Sequence, residues 1–390
     1  MNELVFELIK AIGKAFLNPI LYWLAFISFM ISMKRIKQER KNFGHELFPH
    51  FAELQGSIHI TIFSTIFLSL ILLMLNAVFV REFIFFLSII IFILSFIFGF
   101  RALSAAYTLG LTFLLFKLLE HFDNTLFDSG LFTDHTFAAI AILISLLLLV
   151  EVYMFSKIKN KTSFPEVVKS RRGSWIGIYH LQKASFVPFF TLLPSSVTSS
   201  TTSAGQTIDF LSIDFQFAFV PFFTAFHYIT SGQLPEEAAE KLKLHQTFLA
   251  IIVFALSTIS FYLPGIAIFA VLTAMFGKWL IDYQLLKDDR KKGYLFLQLK
   301  DPLKVLAVVP GSPAEKLGFK PGDLIIKTNG KPVHTIESLN QELENILYFP
   351  TFEIVTHNHE VVIIENDRYR GNHVELGLIF AAKNEAKSGD

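Results

Sequence analysis

Val309-Pro310-Gly311-Ser312-Pro313-Ala314-Glu315-Lys316-Leu317-Gly318-Phe319-Lys320-Pro321-Gly322-Asp323 is the stretch whose reading decides the fold. Each residue type in it has a mechanical reason. Ser312 is placed to cap a short helix, with Pro313 at the first helical position and Glu315 closing a capping box. Gly318 suits a left-handed helix end. Lys320-Pro321-Gly322-Asp323 suits a type II turn, with Pro at its second position and Gly at its third. Leu324-Ile325-Ile326 then reads as a short buried strand, and Asn329-Gly330 as a hairpin turn. A helix over 336–347 follows, with Leu339, Leu343 and Leu347 forming its buried stripe. Residues 285–390 therefore read as a small α+β domain.

This order of elements resembles the PDZ domains of the bacterial type. The resemblance implies binding of extended peptides by strand addition at a sheet edge. In PDZ domains a loop of Gly and apolar residues precedes the second strand, and its N–H groups hold a peptide carboxylate. Gly293, Tyr294, Leu295 and Phe296 stand in that place. They precede a strand at 297–299, a turn at Lys300-Asp301-Pro302 and a strand at 304–309. Leu295 departs from the family pattern, where a second Gly is usual, so internal or extended peptides fit as well as C-terminal ones. Ser338, near the start of the 336–347 helix, falls where family members contact the peptide side chain.

Outward from this domain the composition changes character. The 390 residues are 53% hydrophobic, with mean hydropathy +0.51 and 45 Phe, which points to a polytopic helical membrane protein. The net charge of +1 and the lack of a basic, aromatic-laced patch exclude a nucleic-acid partner. With no Cys, disulfides, thiol catalysis and Cys-ligated metal are excluded. The chain starts without a cleavable signal peptide. Glu3, Glu7, Lys10 and Lys14 recur opposite Leu4, Leu8, Ile12 and Phe16, giving an amphipathic helix that lies on the bilayer or extends the first span.

Apolar runs at 16–33, 58–80, 83–100, 102–119 and 136–155 read as spans. Basic residues at 34–41, 157–172 and 287–292 mark cytoplasmic flanks, and the acidic loop 120–135 marks the outside. Runs 175–193 and 210–229 contain Pro188, Pro194 and Pro221 and flank a Ser/Thr-rich linker at 195–207. We read them as a membrane hairpin with an outside loop, the alternative being cytoplasmic interfacial helices. Runs 248–262 and 265–281 form a last hairpin. The expectation is about six to nine membrane segments in a domain of residues 1–284, with the PDZ-like domain of residues 285–390 in the cytoplasm. No internal repeat is evident.

Chemistry-bearing motifs are few. His45-Glu46-Leu47-Phe48-Pro49-His50 nearly spells HExxH, but the second His falls at i+5, about 140° around a helix, and Pro49 breaks one. We read a solvated loop and expect no metal. No Gly-x-Ser-Gly nucleophile turn is present. Arg101, Lys117 and Glu151 lie near the ends of apolar runs and read as anchors that snorkel to water. His357 and His359 read as a surface hairpin. Neither a catalytic site nor a cofactor is expected.

The whole layout resembles the MinJ family, polytopic PDZ proteins of the Min division-site system in Gram-positive rods. Local marks are Leu17-Asn18-Pro19, Gln38-Glu39-Arg40-Lys41 and Arg171-Arg172-Gly173-Ser174-Trp175-Ile176-Gly177. The resemblance implies a non-enzymatic adaptor at poles and septum, linking a DivIVA-like pole marker to a MinD-like ATPase that carries MinC. The residues alone give a membrane scaffold with a cytoplasmic peptide-binding domain. Rival readings are a PDZ-containing intramembrane protease and a regulator of membrane transport or proteolysis.

Overall fold

The computed structural model describes residues 2–122, 134–194, 215–297, 303–344, 350–357, 359–365 and 376–382. The expectations for 195–207, the 300–302 turn and Leu347 lie outside them.

After α1 (Asn2–Ala15), Asn18 caps α2 (Pro19–Phe43) by accepting from the Ile20 N–H, with Pro19 in the first turn. The apparent break at Asn18-Pro19 is thus a helix start. The basic cluster after the apolar run continues the same helix until Gly44, at φ 82°, ends it. Then come α3 (Ile58–Met74), α4 (Arg81–Phe98) with a 3-10 turn at Gly99–Ala102, α5 (Ala105–Phe122) and α6 (Asp134–Phe155). After a strand region follow α7 (Pro235–Ile259) and α8 (Ile266–Lys292). Among the described residues five helices are long and apolar enough to cross a membrane: α2, α4 with its 3-10 turn, α6, α7 and α8. The shorter apolar α3 packs among them. α6 is the central helix, buried nearly all round against α3, α5, α7 and α8. α8 runs through the boundary expected at 284/285 without interruption.

The expected helical hairpin over 173–230 is a β structure instead. The strands are β1 (Phe164–Lys169), β2 (Trp175–Phe186), β3 (Phe189–Pro194), β4 (Phe215–Val220) and β5 (Phe223–Thr230). β1, β2 and β5 form an antiparallel sheet, and β3 pairs with β4. The physical reason is the aromatic and β-branched content of these runs, which suits a buried strand, and a short recurrence passed over in the sequence reading marks the break in them. Val187-Pro188-Phe189-Phe190-Thr191 recurs as Val220-Pro221-Phe222-Phe223-Thr224. The two copies face each other, with the Val187 N–H donating to the Phe222 carbonyl at 2.8 Å. Proline breaks both strands at one level without ending the hairpin. Below the break lies the sheet. The end of β2 and then β3 run along α3: Ser57 and Thr61 donate to the Ala184 and Phe186 carbonyls of β2, and above the break Ser69 accepts from the Phe190 N–H and Thr191 donates to the Ala77 carbonyl. α1 packs on β4. Backbone that leaves helical form here is therefore packed against protein.

The ends of α2, α6 and α8 meet this sheet. The C-terminal module follows as β6 (Phe296–Leu297), β7 (Leu303–Val308), α9 (Pro313–Lys316), β8 (Leu324–Thr328), β9 (Lys331–Pro332), α10 (Ile336–Glu344), β10 (Thr351–Val355), β11 (Val361–Glu365) and β12 (Leu378–Phe380). Its sheet order is β11-β10-β8-β7-β12, with β9 pairing β8. Phe319, Phe352, Ile325, Val305, Leu339 and Leu378 fill its core.

Candidate peptide-binding site

The signature stretch folds as its residue types dictate. Ser312 caps α9 by accepting from the Glu315 N–H. Glu315 accepts from the Gly311 N–H at 2.7 Å, one residue earlier than a capping box places it. Gly318 and Gly322 have φ 90° and 97°, and the Phe319 N–H reaches back to the Ala314 carbonyl.

What this stretch supports is a second turn, at Gly377. Its φ is 88°, and a Cβ there would run into Ser312, so glycine alone fits. Its carbonyl accepts from the Val309 N–H at 2.9 Å. Gly377 opens β12, which pairs antiparallel with β7 through Leu378–Val308 and Ile379–Ala307. The other edge of β12 has no strand partner among the described residues. A pocket of about 30 Å³ lies beside that strand, lined by Gly377, Leu378, Ile379 and Phe380, by Ile336 at the start of α10, and by Phe43 and His45 at the end of α2. β12 is thus an edge strand beside a helix, with Leu378, Ile379 and Phe380 buried, so a strand added there would have to displace what covers it.

The sequence reading placed the peptide loop elsewhere. Gly293 ends α8 with φ 75°, Tyr294 is exposed, and the Leu295 N–H donates to the Ser231 carbonyl at 2.8 Å. Phe296 is buried edge-on against Tyr179, in a strand paired with β2 opposite Gly177. None of the four lines the pocket beside α10. The reason is steric: Gly177 leaves room that Phe296 and Leu306 fill. Ser338 does lie on α10, in the cap. Its hydroxyl accepts from Thr335 N–H while its own N–H donates to Thr335 Oγ1, both at 3.1 Å. The pocket is lined instead by Gly377, Leu378, Ile379 and Phe380, which the sequence reading did not single out. Their signal was a glycine between apolar residues, Leu376-Gly377-Leu378, leading into a strand.

The module is fastened to the membrane half. Tyr179 donates to the Leu306 carbonyl, and Ala307 and Ile379 join the larger core. Ion pairs Lys161–Glu315 and His357–Glu237 span the rim. His45 and His50 lie in the turn after α2. Glu46 there pairs with Arg40 at 2.8 Å, and that contact holds its carboxyl below the ordinary range.

Glu151 corrects the anchoring expectation. It is wholly buried, accepting from Ser104, Thr224 and the Ala105 N–H on one oxygen and from Gln246 and Lys278 on the other. Lys278, equally buried, also donates to Gln246 at 2.8 Å. Lys117 pairs with Glu120 at 2.8 Å and sits over the Phe137 ring, and Arg101 is exposed at the end of α4.

Comparison with known proteins follows this geometry. Residues 304–345 match the PDZ domain family model. Over 381 residues, 96% of this chain and 95% of the relative, the chain is 26% identical to the cell division topological determinant MinJ of Bacillus subtilis (strain 168). The chain is thus similar to MinJ along its length and carries a PDZ match in its C-terminal module. A 44-residue stretch is also 41% identical to putative protease Do-like 14 of Arabidopsis thaliana, covering 11% of this chain and 10% of that protein. The MinJ-like similarity spans the helices, the sheet and the PDZ module together.

Proposed function

We propose that this protein is a membrane scaffold for placing the division site, and that it recruits partners by strand addition at β12. The observation that carries the reading is the β12 edge strand beside α10, set by Gly377 and without a strand partner among the described residues, in a chain similar to MinJ along its length. Backbone hydrogen bonds supply affinity in such binding. The PDZ module faces the cytoplasm, because the basic ends of α2 and α8 and the basic segment after α6 all meet at the sheet to which the module is fastened. Partners by resemblance are a DivIVA-like pole marker and a MinD-like ATPase, at poles and septum. The role is non-enzymatic.

The test is in cells, with the full chain. Gly377→Val should abolish partner recruitment by displacing Ser312. Ile336→Glu, at the pocket rim, should do so while the protein still folds and inserts. Tyr294→Glu, away from this pocket, should leave recruitment intact. Recruitment by a folded Ile336→Glu protein at the normal level defeats the β12 reading. A reporter active only outside the cell, fused after Asp390, should be silent; activity there reverses the orientation.

A further inference from the structure

A second cavity, of about 660 Å³, lies where α2, the end of α4 and the β1-β2-β5 sheet converge. Its two halves differ in chemistry. Toward the bundle it is walled by Ile27 and Ile31 of α2 and by Phe96 and Ile97 of α4. Phe96 and Ile97 are 70% and 61% exposed, on a helix that can cross the membrane, so this wall continues into the lipid-facing surface. Toward the sheet the cavity is polar, with Lys34, Arg101, His180, His227 and Gln182 on its lining. Lys34 stands where the apolar part of α2 ends, and Arg101 just beyond α4.

The charges are unbalanced. Glu166 accepts from Gln38 at 2.6 Å and lies 2.5 Å from His180, whose other ring nitrogen is 2.8 Å from His227. Glu39 is held by Arg35 and by the Leu47 and Phe48 N–H groups, and Arg35 is divided between Glu39 and Glu53. Every carboxylate on the lining thus has a protein partner. Lys34 and Arg101 make no direct hydrogen bond or ion pair among the described residues, although the charge of Lys34 also acts on Glu166. Their field reaches the pocket floor: burial first, then His180, Arg101 and Lys34, push the His227 imidazole down to about 3.

We propose that this cavity binds the phosphate headgroup of an anionic phospholipid, with Lys34 and Arg101 as its cationic partners and the α2–α4 wall beside its acyl chains. Two cations that make no direct ion pair, at the boundary between an apolar helix surface and a polar sheet, match a ligand with an anionic head and an apolar tail. A soluble phosphate would use the polar half alone.

The test counts lipids on the purified full-length protein by native mass spectrometry. Phosphatidylglycerol is the probe, with phosphatidylcholine and inorganic phosphate as the other arms. Phosphatidylglycerol should be held at least tenfold better than phosphatidylcholine. Lys34→Gln with Arg101→Gln should cut that preference to within twofold, and either change alone about threefold. Lys287→Gln with Lys291→Gln, an equal charge loss on α8, should leave it unchanged. Melting temperatures identify variants that fail to fold, and the single changes then decide. Equal retention of the two lipids, or an intact preference in the folded double variant, overturns the proposal. Displacement of phosphatidylglycerol by millimolar inorganic phosphate also overturns it, in favour of a soluble-anion site.

Discussion

Two polar clusters lie between the helices and the sheet, and they are built on opposite rules. Around Glu151 every donor meets an acceptor: Ser104, Thr224, Gln246, Lys278 and one backbone N–H close on a carboxylate with no exposure. Around Glu166 the hydrogen-bonded row of His180 and His227 ends at a cavity rimmed by two cations that make no direct ion pair among the described residues. The first cluster joins α5, α6, α7, α8 and β5 into one body and leaves no room for anything else. The second leaves both room and charge. Saturation marks a structural joint, and an imbalance of charge beside open volume marks a site.

The largest expected effect breaks the joint. Lys278→Met leaves the Glu151 charge buried without its cation and should destabilise the protein by about 3–5 kcal/mol. Lys278→Met combined with Glu151→Leu should recover much of that loss, because no bare charge remains. Unfolding in detergent, followed by intrinsic fluorescence, measures both; a single variant as stable as wild type would show the joint to be dispensable. Next comes proton linkage at the site. His227 is held at about 3 against an ordinary 6.5, so below about pH 6.5 the unfolded chain takes up a proton that the folded chain refuses. Stability should fall as pH drops from about 6.5 toward 3, by up to roughly 1.4 kcal/mol per pH unit. His227→Gln should flatten melting temperature against pH, and an unchanged profile would place the titration elsewhere. Glu166→Gln should cost about 1 kcal/mol, since cavity water can solvate what the carboxylate leaves. The smallest effect belongs to the polar turn outside both clusters. His45→Ala with His50→Ala should shift stability by about 0.5 kcal/mol or less and leave septal placement unchanged. Zinc bound in stoichiometric amount together with loss of placement would instead make that turn a metal site.

Legibility in the sequence followed the range of the forces involved. The turns of the C-terminal module could be read because each is set by a residue's own backbone preference: Gly318, Gly322 and the Asn329-Gly330 pair all have positive φ. The main helices could be read because an apolar run of their length has few other fates. The segment from Trp175 to Thr230 could not, since aromatic and β-branched runs suit a buried strand and a membrane helix alike. The repeated Val-Pro-Phe-Phe-Thr was the available cue, two prolines meant to sit opposite each other. Glu151 was misread because its partner Lys278 stands 127 residues away, and no local pattern joins them. Gly293 and Phe296 drew attention through their position before β7, whereas a gap in side chains at Gly177 fixed their actual berth.

The strand pair β3–β4 dictates an order of birth. Helices can enter a bilayer one at a time, because each satisfies its own backbone. A lone β3 or β4 cannot, since its N–H and C=O groups would face hydrocarbon. Both strands leave the ribosome after α1 and α3, the helices against which they finally rest, and before α7 and α8. The nascent chain therefore has a cradle waiting before its most awkward segment arrives. A permutation of the gene that moved residues 164–230 ahead of α1 would keep every native contact available and remove that cradle.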